Sequence, residues 1–238
     1  MTRASGSAPA ADEALRFAAF KRHIGLHPPV AQDTSIIARS ARTLAAQGAT
    51  VAVQHRKQLL GSVELRRAVA EDSLCLSVLA MQVFLDTYAT EGIRPALARE
   101  VLSSYSQASF NEAIATPRSE VVVAEHNGHM VGFAQVTLFA CHELAPGDVQ
   151  AELLRLYVQE PFTGLGVGTK LLAAAENLAI DVGATVMWLT PWVHNHRALA
   201  FYARRGYGDF GLTCFTFEGE SHENRVLAKL IHATSSAA

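Results

Sequence analysis

Two stretches decide how this chain folds. The first is Glu152-Leu-Leu-Arg-Leu-Tyr-Val158, followed by Thr163-Gly-Leu-Gly-Val-Gly168; the second is Asn195-His-Arg-Ala-Leu-Ala-Phe-Tyr202, followed by Gly206-Tyr207. The first reads as an apolar strand, a glycine-rich turn and a helix over 169–181. A strand over 185–190 and a helix over 196–205 follow. A glycine turn that opens a helix leaves backbone N–H groups without intrahelical partners, and the helix dipole adds partial positive charge there. Such a turn is suited to hold a pyrophosphate.

Other glycine-loop patterns fail on spacing. The pattern Gly-x-x-x-x-Gly-Lys-Ser/Thr, started at Gly164, meets Thr169 where its second glycine belongs and Leu171 after Lys170. The dinucleotide pattern Gly-x-Gly-x-x-Gly also meets Thr169 at its last glycine, and no acidic residue follows at the end of a second strand to hold a ribose. What remains is an anion-binding turn or a helix start with incidental glycines.

Working outward, the chain has 238 residues, 50% of them hydrophobic and 18% charged, with a formal net charge of -2. This composition suits a well-cored globular domain with an appendage and makes no general case for nucleic acid or membrane as a partner. No run approaches the ~18 apolar residues of a membrane span. Residues 1–20 lack the apolar core of a secretory signal. Cys75, Cys141 and Cys214 are scattered, fit a reducing cytoplasm, and read as small buried apolar side chains. Residues 1–61 are read as a basic extension lacking a sustained pattern, apart from a short helix over 39–47; the first sixty residues hold eight Lys and Arg against three Asp and Glu.

The main globular domain is expected over 62–231, with a tail over 232–238. Val63-Glu-Leu-Arg-Arg-Ala68 alternates as a half-buried strand. A helix over 71–89 is apolar on both faces and is expected to be heavily buried; another covers 95–105. Strands over 121–124 and 130–139 flank Asn127-Gly128, a strong hairpin signal because both positions of that turn need positive φ. Gly183 and Gly206 stand where helices stop, and strands over 211–217 and 225–229 close the domain.

These parts resemble the GCN5-related N-acetyltransferase (GNAT) family. Its pyrophosphate motif, Gln/Arg-x-x-Gly-x-Gly/Ala, maps onto Thr163 to Gly168, with Thr163 departing from the usual long side chain. Its second segment, Asn-x-x-Ala-x-x-Phe-Tyr and then Gly-aromatic, is matched by Asn195, Ala198, Phe201, Tyr202, Gly206 and Tyr207. The resemblance implies an α/β acyl-CoA N-acyltransferase fold, with a mixed, mostly antiparallel central sheet flanked by helices. It implies acetyl-CoA as cosubstrate, no metal, and direct transfer to a primary amine in a ternary complex. The pantetheine arm would lie along Leu156, Tyr157 and Val158, in a slot that a bulge in this strand would open. The pyrophosphate would sit on Thr163, Gly164, Leu165, Gly166, Val167, Gly168 and Thr169. Asn195 would cap its helix and contact the cofactor, alongside Tyr202. Tyr202 would be the acid that protonates the leaving sulfur, and Glu152 the base. A solvated strand-edge role for Glu152, with water alone as relay, stays open.

Phe84-Leu-Asp-Thr-Tyr88, the 152–158 strand, Trp188-Leu-Thr-Pro-Trp192 and Phe217-Glu-Gly-Glu220 look like bacterial PaiA-type spermidine/spermine acetyltransferases. Trp192, and less so Trp188, would wall an acceptor slot and attract a cation through the ring face. Asp86, Glu91 and Glu143 would complement a polyamine. The acceptor expected is a small-molecule or peptide amine, and a homodimer stays open. A different class of function is also open: an acetyl-CoA-binding sensor or partner-binding module with little or no turnover.

Overall fold

The computed structural model describes residues 63–217 and 220–232. The basic segment 1–61, its short helix and most of the tail lie outside the described residues. In chain order the elements are β1 (Val63–Arg67), α1 (Ser73–Tyr88), α2 (Pro95–Ser104), α3 (Gln107–Ala115), β2 (Ser119–His126), β3 (His129–Leu138) and β4 (Gln150–Val158). They continue with α4 (Val167–Asp181), β5 (Val186–Leu189), α5 (His196–Ala203), β6 (Gly208–Phe217) and β7 (Glu220–Leu230). Among the described residues, no helix is long and apolar enough to cross a membrane.

The strands form one sheet in the order β1-β2-β3-β4-β5-β7-β6. Every neighbouring pair is antiparallel except β4 and β5. This is the mixed, mostly antiparallel α/β fold expected of the family. The Asn127-Gly128 turn joins β2 to β3, with φ of 51° and 75° at the two residues. Alternation along β2 divides the core: Val122 and Ala124 pack with Leu171, Leu172 and Ala175 of α4, whereas Val121 and Val123 pack with Leu76, Leu79 and Ala80 of α1 and with Phe110 of α3. β2 is thus buried on both faces, the condition under which a strand reads as a continuous apolar run.

Three features differ from the sequence expectations. Helix α3 was not foreseen. It is short, and tertiary contact rather than a strong apolar stripe holds it: Phe110 is wholly buried, and Ser106 caps the helix by accepting from Ser109 N–H at 3.2 Å. Helix α1 buries only one face; Leu74 and Val78 on the other are more than half exposed. All three cysteines are exposed rather than buried. Each sits on an outward position of its segment, so a small apolar side chain does not imply a core place.

Candidate active site

The site begins with a fault in β4. Arg155 pairs with Gln135 and Leu153 with Val136, so Leu154 is an extra residue in the ladder. Such a bulge bends the strand and switches which side chains share a face. Ala151 and Leu153 before it, and Leu156 and Val158 after it, all face the α4 side, whereas Tyr157 packs on the α1 side. Leu154 itself is exposed.

The bulge coincides with a split in the sheet. β4 pairs with β5 only over Gln150–Glu152, against Val186–Trp188. Beyond Glu152 the two diverge, because the chain after β5 stays with β7: Arg225 N–H donates to Pro191 C=O at 2.9 Å and Val193 N–H to Glu223 C=O at 3.1 Å. The edge of β4 from Leu153 to Val158 is therefore open toward β5, the position where an extended amide-bearing chain can add as a strand.

At the top of this wedge lies the glycine turn. Gly164 and Gly166 have φ of 68° and 87°, a left-handed conformation that costs other residues roughly 1–2 kcal/mol. The turn delivers Gly166 to the N-cap of α4. Thr169 and Lys170 N–H bond back to Gly166 C=O, whereas those of Leu165, Gly166, Val167 and Gly168 make no backbone hydrogen bond among the described residues. Four donors at one helix start form a cradle for an anion. Thr163 turns its hydroxyl back along the chain, donating to Glu160 C=O at 2.7 Å.

Wedge and turn open into one cleft of about 830 Å³. Of the residues singled out from sequence, Leu156, Val158, Thr163, Gly164, Gly166, Gly168, Thr169, Trp192, Asn195 and Tyr202 line it. Leu165 and Val167 do not: both side chains pack into the core, leaving only their backbone to the turn. The Tyr157 side chain is likewise directed away, with its hydroxyl 3.1 Å from that of Tyr105. Asn195 caps α5, its Oδ1 accepting from Ala198 N–H at 3.0 Å, which leaves its amide nitrogen for the cleft.

Tyr202 is nearly buried on the cleft wall, wedged between Phe201 and Tyr207 at ring distances of 5.1 and 5.5 Å. Its hydroxyl has no hydrogen-bond partner among the described residues. Burial, helped by nearby Tyr88, pushes its pKa well above the usual phenol value. The phenol therefore stays protonated at neutral pH and its O–H is uncommitted.

Glu152 is not on the cleft wall. It stands at the foot of the wedge, paired across the ladder with Thr137 on one side and Trp188 on the other. Burial raises its pKa, and the positive charge of Arg155 opposes this only in part. Arg155 itself is engaged elsewhere, donating to Gln135 Oε1 at 2.6 Å and lying over the Tyr105 ring at 4.9 Å.

The two tryptophans separate cleanly. Trp188 is core, its indole N–H donating to Ala140 C=O at 2.8 Å. Trp192 lines the cleft and meets Tyr88 at 5.7 Å; Tyr88 in turn meets Phe84 at 4.6 Å. The C-terminal end of α1 thus covers one end of the cleft, bringing Val83, Asp86, Thr87 and Thr90 to its wall. Glu91 and Glu143 do not line it. Sequence reasoning passed over Arg197, Arg204 and Arg205, which do. The adjacent cations Arg204-Arg205, one residue beyond the Phe201-Tyr202 pair, were the signal available.

The profile of the acetyltransferase (GNAT) family matches residues 87–207, and the chain belongs to that family. It is 33% identical over 135 residues to an uncharacterized N-acetyltransferase of Mycobacterium tuberculosis, an alignment covering 55% of this chain and 81% of that protein. It is 26% identical over 157 residues to the aminoalkylphosphonate N-acetyltransferase of Salmonella typhimurium, covering 66% and 92%. Among solved structures, the PaiA N-acetyltransferase of Thermoplasma acidophilum in complex with coenzyme A matches with a TM-score of 0.59 at 22% identity, over 71% of this chain and 99% of that one. At that identity the likeness is one of fold.

Proposed function

We propose that this N-acetyltransferase moves an acetyl group from acetyl-CoA to the primary amine of a small cationic acceptor, a polyamine or related diamine, by direct transfer in a ternary complex. The observation that carries the reading is the continuity of one cleft from the turn's unpaired N–H groups, along the open edge of β4, to the uncommitted Tyr202 hydroxyl. The donor set suits acetyl-CoA: N–H groups for a diphosphate, a strand edge for the amides of a pantetheine arm, and an acid beside the end of that strand. Acetyl-CoA supplies an activated thioester carbonyl and a thiol leaving group.

The chain's own residues would do the rest. Holding amine and thioester together in an attack geometry is the largest contribution, worth about 7–11 kcal/mol. Glu152, a carboxylate of raised basicity below the wedge, takes the ammonium proton through intervening water, since it does not stand on the cleft wall. Tyr202 donates its phenolic proton to the departing sulfur as the N–C bond forms and the C–S bond breaks.

Charge along the cleft supports a cationic acceptor. The arginines on its wall are Arg197, Arg204 and Arg205, all on α5 or at its end, and Arg197 is paired with Glu160 at 2.7 Å. The α1 end presents Asp86 and Trp192, with no Arg or Lys among the lining residues contributed by that helix. An acceptor bearing phosphonate or carboxylate next to its amine finds no Arg or Lys on that helix; an ammonium finds a carboxylate and an aromatic face.

The test is free-thiol release from acetyl-CoA across spermidine, diamines, amino acids, lysine peptides and aminoalkylphosphonates. The expected outcome is that kcat/KM for polyamines exceeds that for aminoalkylphosphonates by at least about tenfold, the worth of one charge pair in a partly desolvated site. A preference for the anionic amines would overturn the acceptor assignment. Binding of acetyl-CoA with no thiol released from any amine would favour a sensor or partner-binding module instead.

A further inference from the structure

We propose that Arg205, with Arg204 beside it, receives the phosphate on the ribose 3′ oxygen of coenzyme A, so that the protein selects acetyl-CoA over its dephospho form. This rests on the reading of the cleft as the acetyl-CoA site and adds a specificity determinant to it.

Arg205 is held rather than free to swing. One guanidinium nitrogen donates to Thr169 Oγ1 in the first turn of α4. Another donates to Phe201 C=O at 3.1 Å. The guanidinium carbon lies 3.7 Å from the centroid of the Phe201 ring. That ring also lies against Gly168, where an added Cβ would meet it at 3.5 Å. Phe201 and Thr169 together fix the Arg205 guanidinium on the flank of α4, next to the glycine turn.

Two observations indicate that this cation is short of a partner. Its Nε is buried without a hydrogen bond, an orphan of a kind that is rare in folded proteins. Arg204, a second guanidinium on the same wall, has no ion pair or hydrogen bond among the described residues. Burial and the Arg204 charge both pull the Arg205 pKa below its ordinary value. Two adjacent cations at the edge of a cleft, with donors still unused, are complementary to a dianion.

Position selects which anion. The diphosphate is served by the N–H groups of Leu165 to Gly168, and the pantetheine arm leads from there toward β4. Beyond the diphosphate on the other side, coenzyme A continues into ribose, and its remaining charged group is the 3′ phosphate. Thr163, whose short side chain is bonded back to Glu160 C=O, contributes no cation to the turn, and Arg204 and Arg205 are the arginines on this wall without an ion pair among the described residues.

The experiment is calorimetric titration of the full chain with coenzyme A and with dephospho-coenzyme A, in the wild type, Arg204→Gln and the double variant Arg204→Gln/Arg205→Gln. Arg204→Gln alone disturbs no packing contact of Arg205. The wild type is expected to bind coenzyme A at least about tenfold more tightly than the dephospho form, as two charge-assisted contacts imply. Arg204→Gln should narrow that ratio, and the double variant should bring it to within about twofold of unity. Equal affinity of the wild type for both ligands would overturn the proposal and leave the cleft reading standing. A double variant weakened equally toward both ligands, its ratio unchanged, would make Arg205 a packing or diphosphate residue and also overturn it. Failure of the wild type to bind either ligand would overturn both readings.

Discussion

Replacing Tyr202 by Phe should lower kcat by about 10²–10³-fold while leaving the affinity for acetyl-CoA and the melting temperature nearly unchanged. The size follows from the usual contribution of a positioned general acid. The selectivity follows from the environment of this side chain. Its ring is packed between Phe201 and Tyr207, and Phe preserves that packing. Its hydroxyl has no hydrogen-bond partner among the described residues, so its removal leaves no protein group unsatisfied. Rapid-mixing kinetics of thiol release, with acetyl-CoA affinity measured by calorimetry, separate the two effects. A variant that keeps the wild-type rate would remove Tyr202 from the chemistry; one that loses both rate and folding stability would make it a core residue.

The second large effect is expected at Glu152, and its direction in pH follows from burial. Desolvation raises the pKa of this carboxyl, and in the proposed role of general base it must be ionised to act. Activity should therefore fall as pH drops through that raised value. Glu152→Gln should lower kcat by about 10–10²-fold, with water alone then relaying the proton, and should abolish that acidic inflection. Stability should move the other way. A carboxyl whose folded pKa lies above its unfolded value destabilises the fold at pH values above both, where it must be carried charged, and this penalty disappears as pH falls through the folded value. At neutral pH the Gln variant should thus melt no lower than the wild type. A pH–rate profile and a melting curve on the same two proteins check both halves. An unchanged acidic limb would relieve Glu152 of its role, and a large loss of stability at neutral pH would make it structural.

These effects involve residues that were legible in the sequence to different degrees. The glycine turn was readable because Gly164 and Gly166 must take positive φ to bring α4 to the cleft. The Asn195–Tyr202 segment was readable because an N-cap and an aromatic pair stand at fixed helical offsets. The Asn127-Gly128 hairpin followed from the same local chemistry. The bulge at Leu154 was not readable: Leu153-Leu154-Arg155-Leu156 is compatible with an unbroken strand, and the bulge shows only in how β4 registers against β3. The split from β5 depends in turn on the 191–193 segment holding to β7. For the same reason the distance of Glu152 from the cleft wall was hidden; its spacing to Val158 is unchanged, but the bulge and the split lie between them. Trp188 and Trp192 illustrate the limit again. They are four residues apart and identical in type, and only the divergence of β4 from β5 separates a core indole from a cleft-lining one.

The proposed position of acetyl-CoA is along the open edge of β4, with its diphosphate on the glycine turn. Hydrogen–deuterium exchange with and without acetyl-CoA tests it most directly, because backbone amides there are the proposed ligands. Added acetyl-CoA is expected to slow exchange chiefly in peptides spanning 156–158 and 163–169. Exchange left unchanged in both segments at saturating acetyl-CoA, or slowed only elsewhere, would contradict it.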